Sequence, residues 1–158
     1  MKKYLVIGNP IDHSLSPKLH NYWFKTNNIY AEYEKRLIQK SDLSDIIKSI
    51  KSKEIEGINV TVPFKKEIIN YLDELSPEAH NTKSVNTLLN ENGKIIGHNT
   101  DIAGFELAIR HTKYDLSEKR ILILGAGGVV PSVICALNKS KVKEITVMNR
   151  TFSKAEKL

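Results

Sequence analysis

A strand, a glycine turn and a helix follow one another without a break at Ile121-Leu122-Ile123-Leu124-Gly125-Ala126-Gly127-Gly128 and the residues beyond. No other stretch restricts the fold as much. The apolar run over Arg120–Leu124 predicts a buried-type strand, and Val130, Val133, Ile134 and Leu137 repeat at helical spacing over Val129–Leu137. Glu144–Met148 supplies another strand, so the unit reads β-α-β, which requires parallel pairing. Glycines at such a turn let a pyrophosphate approach the amides of a helix N-terminus. A tight turn with no ligand is satisfied by the same residues. Val130 stands where the dinucleotide fingerprint has its third small residue, and Pro131 falls in the first helical turn, where a missing amide costs little.

The end of the second strand bears on which nucleotide fits. A site selective for NAD carries Asp or Glu there to hold the ribose hydroxyl. This chain has Asn149-Arg150-Thr151, with Lys154 close behind. Arg150 can bind a 2′-phosphate through charge-assisted hydrogen bonds, which favours NADP; the alternative is an ordinary solvated arginine.

Upstream, short β-like runs alternate with helical segments. Tyr4–Ile7, Glu32–Leu37 and Gly57–Val62 are strand candidates. Between and after them lie a helix from Ser16 to about Thr26 capped by Ser16, one capped by Ser41, and one opened by Pro63 and ending near Tyr71. Leu43, Ile46, Ile47 and Ile50 form one apolar face of the second. The order predicts an α/β fold, a three-layer unit with a mostly parallel sheet. Asn92-Gly93 then suits a hairpin between Val85–Leu89 and Lys94–Gly97, and a helix runs from Asp101 to about His111. The pattern changes between residues 100 and 118, dividing the chain into units 1–100 and 101–158.

Four polar clusters sit where strands should end. Ser14 and Ser16 flank a helix N-terminus and suit a carboxylate, although Ser16 as a plain cap is an equal reading. Asn59 and Thr61 share one face of a strand whose other face carries Ile58, Val60 and Val62, which suggests a cleft or a partly exposed face. Lys65 falls in the first turn of the Pro63 helix, where the dipole disfavours a cation by roughly 0.3–1 kcal/mol, a placement that suits a group exchanging a proton. Asn86-Thr87 and Asn99-Thr100-Asp101 make the last cluster. Asp101 is either a helix cap or the partner of Lys65, an attraction on the order of 4 kcal/mol at an effective dielectric constant near 20, before desolvation is subtracted.

Composition excludes several classes. Lys+Arg exceed Asp+Glu by 24 − 18 = 6, but the cations are interspersed with acids and only 7% of residues are aromatic, so nucleic acid is not expected as a partner. No apolar run approaches a membrane span of about 20 residues, so no membrane partner is expected either. The single cysteine, Cys135, points to a reducing, cytoplasmic setting and reads as a small core residue. The five histidines lack metal-ligand spacing, so no metal is expected.

Taken in order, these residues resemble one family closely, the shikimate dehydrogenases. The resemblance is carried by Gly8-Asn9-Pro10-Ile11-Asp12-His13-Ser14-Leu15-Ser16-Pro17 with His20-Asn21, and by Asn59-Val60-Thr61-Val62-Pro63-Phe64-Lys65. Val85-Asn86-Thr87, Gly97-His98-Asn99-Thr100-Asp101-Ile102-Ala103-Gly104, Gly125-Ala126-Gly127-Gly128 and Asn149-Arg150-Thr151 extend it over essentially the whole chain. It implies a substrate domain followed by the opening β-α-β of a Rossmann NADP domain, and the NADPH-dependent, reversible reduction of 3-dehydroshikimate to shikimate on the route to chorismate and the aromatic amino acids. It further implies that Ser14 and Ser16 hold the substrate carboxylate, that Asn59, Thr61, Asn86 and Asp101 bind around the ring, and that Lys65 and Asp101 are catalytic. Gly125, Ala126, Gly127, Gly128, Asn149, Arg150, Thr151 and Lys154 are then the NADP contacts, in a monomer or homodimer. A quinate/shikimate dehydrogenase using NAD, and an inactive shikimate-binding fragment, are the alternatives. Two departures stand out. Lys83-Ser84 replaces the usual Gly-Ala, and the chain stops at Leu158 where family members continue, so a truncated chain is expected.

Overall fold

The apolar run near the N-terminus becomes the interior of the main sheet in the computed structural model, which describes residues 1–158. β1 (Lys2–Gly8) lies between β2 (Ala31–Leu37) and β3 (Gly57–Val60) and runs parallel to both. Alternation along β1 sends Tyr4 and Val6 to one face, and Leu5 and Ile7 to the other. The first face meets α1 (Ser16–Thr26), where Phe24 packs with Val6, Ile11 and Tyr33. The second meets α2 (Leu43–Lys51), whose Leu43, Ile46, Ile47 and Ile50 are buried as their spacing predicts. Helices on opposite faces make the three-layer α/β unit.

Three more strands complete this sheet: β4 (Glu74–Leu75), β5 (Thr87–Glu91) and β6 (Lys94–His98), in the order β2-β1-β3-β5-β6-β4. β5 runs antiparallel to β3 and β6, and β4 pairs parallel with β6, so three ladders are parallel and two antiparallel. At the hairpin Asn92 and Gly93 have φ of 54° and 86°, as a type I′ turn requires. α3 (Pro77–Thr82), capped by the Ser76 hydroxyl, lies between β4 and β5; neither β4 nor α3 is signalled by a hydrophobic period.

Several local expectations are corrected. The third strand stops at Val60, and residues 62–66 form a turn that leads into a 3-10 helix over Glu67–Tyr71. A regular helix cannot form there because the Val62 and Lys65 carbonyls accept from the Asn9 and Val85 amides, both at 2.9 Å. Val62 is consequently 56% exposed rather than on the buried face. Ser16 is the first residue of α1 and does not cap it; Ser14 Oγ instead accepts from the Ser16 amide at 3.3 Å. Ser41 lies within a short 3-10 turn, Lys40–Asp42, and the Asp42 carboxylate accepts from the Gln39 amide.

α4 (Asp101–Thr112) leads out of the main sheet and packs on α5 (Val130–Lys139), which joins β7 (Arg120–Leu124) to the parallel β8 (Glu144–Met148). α6 (Phe152–Glu156) follows. β7 is not the buried strand that its composition predicts: Leu122 and Leu124 are 56% and 75% exposed. With only two strands, one face of this sheet has nothing against it. The buried face of α5 also differs, consisting of Val130, Ser132, Ala136 and Leu137, while Val133, Ile134 and Cys135 are half-buried. Cys135 is therefore no core residue. No helix is long and apolar enough to cross a membrane.

Candidate functional site

The loops after β1 and β3 are stitched together at the end of the sheet where the polar clusters lie. Thr61 N–H donates to the Ile7 carbonyl and Asn9 N–H to that of Val62, both at 2.9 Å. A Cβ on Gly8 would come within 2.6 Å of Thr61 Cγ2 and 3.0 Å of the Val62 carbonyl, so only glycine allows this approach. Phe64, 3% exposed, anchors the turn in the core and leaves Lys65 at its edge.

Lys65 Nζ donates to Asp101 Oδ2 at 2.6 Å, and the two side chains are 13% and 19% exposed. Asn86 Nδ2 donates to the other carboxylate oxygen, Asp101 Oδ1, at 2.8 Å. Asp101 is thus held from two sides and aimed by its place at the start of α4; the cap position belongs to Thr100. Shielding from solvent strengthens the pair's attraction, while desolvation subtracts from it. Lys65 lies on no α-helix of its own, contrary to the expected Pro63 helix, and its ammonium pairs with the carboxylate of Asp101 at the start of α4.

Of the remaining predicted residues, Asn59 joins this network. Asn59 Nδ2 donates to the Asn86 carbonyl at 3.2 Å and to Thr87 Oγ1 at 3.0 Å. Its Oδ1 accepts from Tyr33 Oη at 2.6 Å. Tyr33 is missed by a reading of the sequence, its only signal being a tyrosine in a strand of otherwise charged neighbours. Burial raises its proton affinity well above that of a free phenol. The half-buried Ser14 and Ser16 lie at the start of α1 beyond it.

The glycine turn faces Lys65 across a cleft of about 630 Å³, lined by Val62, Pro63, Lys65 and Lys66 on one side and Ala126, Gly127, Gly128 and Lys154 on the other. Glu67, paired with Lys40, also borders it. Gly125 has φ of 112°, which requires glycine, and a Cβ on Gly127 or Gly128 would meet nothing within 4 Å. The side-chain-free wall and the lysines around it fit the diphosphate of a dinucleotide. Asn149 braces the turn, accepting from the Ala126 amide at 3.2 Å and donating to the Thr151 carbonyl at 2.7 Å. Arg150 and Thr151 are exposed at the end of β8, with no carboxylate beside them in the sequence.

The Lys83-Ser84 departure has a structural consequence. Lys83 takes φ of 47°, the conformation glycine adopts most easily. Ser84 is fully buried and its hydroxyl donates to the Gly128 carbonyl at 3.3 Å, tying the main sheet to the glycine turn.

Residues 6–88 match the family described as the shikimate dehydrogenase substrate binding domain, and residues 106–158 match shikimate / quinate 5-dehydrogenase. The chain is 55% identical to the shikimate dehydrogenase (NADP(+)) of Pelagibacter ubique, over 99% of this chain and 59% of the relative. It is 46% identical to that of Bacillus cereus, over 98% of this chain and 56% of the relative. Among solved structures, shikimate dehydrogenase of Aquifex aeolicus superposes with a TM-score of 0.93 at 41% identity, covering 99% of this chain and 59% of that one. The Thermus thermophilus shikimate 5-dehydrogenase in complex with NADP(H) and shikimate gives 0.90 at 32% identity, with 99% and 59% coverage. The chain therefore spans less than three fifths of the length of these relatives.

Proposed function

Because the chain belongs to the family of shikimate dehydrogenase substrate-binding domains, we propose that the whole protein reduces 3-dehydroshikimate reversibly to shikimate with NADPH. Residues 1–100 serve as the substrate unit and residues 101–158 as the start of the cofactor unit. The observation that carries this reading is that Lys65, paired with Asp101 at 2.6 Å, lines a cleft shared with the glycine turn. NADPH, when bound, supplies the hydride.

The protein's part is to hold and to protonate. Ser14 and Ser16 bind the substrate carboxylate, and Asn59, Thr61, Asn86 and Asp101 bind around the ring. As negative charge develops on the reacting ketone oxygen, the Lys65 ammonium stabilises it and delivers a proton. Asp101, fixed by Asn86, keeps the ammonium in place. Gly125, Ala126, Gly127 and Gly128 leave room for the diphosphate, Asn149 and Thr151 brace that turn, and Arg150 with Lys154 attract the 2′-phosphate. A cytoplasmic setting is supported by Cys135 being a free thiol.

The test is a spectrophotometric assay of shikimate oxidation, run with NADP and with NAD on this chain and on one extended to the length of its relatives. NADPH formation by the extended chain, faster than NADH formation, is expected. Shikimate binding without any nucleotide reduction would point to a binding module instead.

A further inference from the structure

Of the six tyrosines only Tyr33 is buried, at 3% exposure. Its ring and backbone are both held. His20 stacks on it with centroids 4.1 Å apart and planes 13° from parallel. His20 is itself tied through Nδ1 to the Ser16 carbonyl at 2.9 Å. Asn21 accepts from the Tyr33 amide at 2.9 Å and donates to its carbonyl at 2.8 Å. So much restraint on one residue fixes where the phenol points. Oη donates to Asn59 Oδ1 at 2.6 Å, and the other polar side chain facing it is the Ser16 hydroxyl.

The effect falls on Asn59. A free asparagine amide can turn end for end, exchanging acceptor for donor. Here the Asn86 carbonyl, which can only accept, requires Nδ2 on its side, the second Nδ2 hydrogen goes to Thr87 Oγ1, and Oδ1 is left facing the phenol, which donates to it and fixes its place. An asparagine side chain has two donor hydrogens and two oxygen lone pairs. Three of those four are occupied, and what remains is one lone pair on Oδ1. Asn59 can therefore meet a ligand only as an acceptor. Its partner has to be a donor such as a ring hydroxyl; a carbonyl or carboxylate oxygen is disfavoured.

We propose that Tyr33 is a positioning residue for the substrate: its phenol locks the Asn59 amide so that Oδ1 accepts from a ring hydroxyl of shikimate. This rests on the shikimate reading above. Without the phenolic hydrogen Oδ1 loses the contact that fixes its aim, and binding of the hydroxyl weakens more than that of the carboxylate, which Ser14 still holds.

The experiment is an NMR titration of this chain and its Tyr33→Phe variant with two ligands. One is shikimate; the other is cyclohex-1-ene-1-carboxylate, which keeps the ring and carboxylate but has no hydroxyls. Tyr33→Phe should raise the Kd for shikimate roughly three- to tenfold, the worth of one neutral hydrogen bond, and leave that for the hydroxyl-free acid within about twofold. A merely structural role would weaken both ligands alike, and that result, or equal shikimate affinity in both proteins, overturns the proposal. Asn59→Ala, which leaves Tyr33 in place, must show the same hydroxyl-selective loss, so the idea stays exposed to refutation even if Tyr33→Phe does not fold. Failure of the unsubstituted chain to bind shikimate at all is a different outcome, which removes the shikimate reading and this inference with it.

Discussion

Asp101 is the residue on which the polar network turns, since its two carboxylate oxygens hold Lys65 and Asn86 separately. Lys65→Ala removes the proton donor, and Asp101→Ala removes the group that places it. In a chain competent for turnover, each is expected to lower kcat by about 10²–10⁴-fold, with far-UV circular dichroism unchanged. Near-normal turnover in either variant would discard the assigned roles. Lys65 was legible in the sequence only through the motif around it, since a lysine near a proline is commonplace. Its pairing with Asp101, 36 positions away, is one of the two readings that the sequence offers for that aspartate, and the structure selects it; the place of Tyr33 behind Asn59 depends on which strands lie side by side, and no local pattern records that.

Among the elements, α2 was legible because a stripe of Leu and Ile at helical spacing has only one way to be buried. The segment after β3 was misread because tertiary hydrogen bonds from Asn9 and Val85 claim the carbonyls that a helix would use. β4 escaped notice for a related reason: two residues have no period, and what holds this edge is polar. The Asp73 carboxylate accepts from the Ile95 amide at 2.8 Å and pairs with Lys51 at 3.1 Å. Chiefly that amide, then Lys51, hold its pKa below the ordinary carboxylate value. A pKa lower in the folded than in the unfolded chain adds stability that is complete above the unfolded value, about 3.9, and is lost as pH falls through the folded one. Urea unfolding at neutral pH and at stepwise lower pH below about 4 should show this acid loss, and Asp73→Asn should make it smaller. An identical pH profile for the two proteins would mean that the edge contact contributes nothing to folding.

In the whole molecule, the buried polar side chains gather at one place. Thr82, Ser84, Asn99 and Ser132 are the polar residues of the interior. Asn99 Nδ2 contacts Thr82 Oγ1, the Ser84 carbonyl and Ser132 Oγ at 2.8–3.0 Å, while its Oδ1 accepts from the Asp101 amide. This joint fastens α5 and the glycine turn to the end of the main sheet. Asn99→Ala leaves the buried Ser132 hydroxyl without a partner, at a cost of about 1–3 kcal/mol. Hydrogen exchange should then quicken in β7, α5 and β8 while β1 and β3 keep their protection; uniform acceleration would show that the joint is not local. The strands other than β4, the glycine turn and the α2 stripe were determined by the sequence itself, because apolar period and glycine placement act over a few residues. The mixed sheet order, the exposed β7 and the meeting of Lys65 and Gly127 at one cleft were decided only by the tertiary structure. They follow from long-range hydrogen bonds and burial, which join residues far apart along the chain.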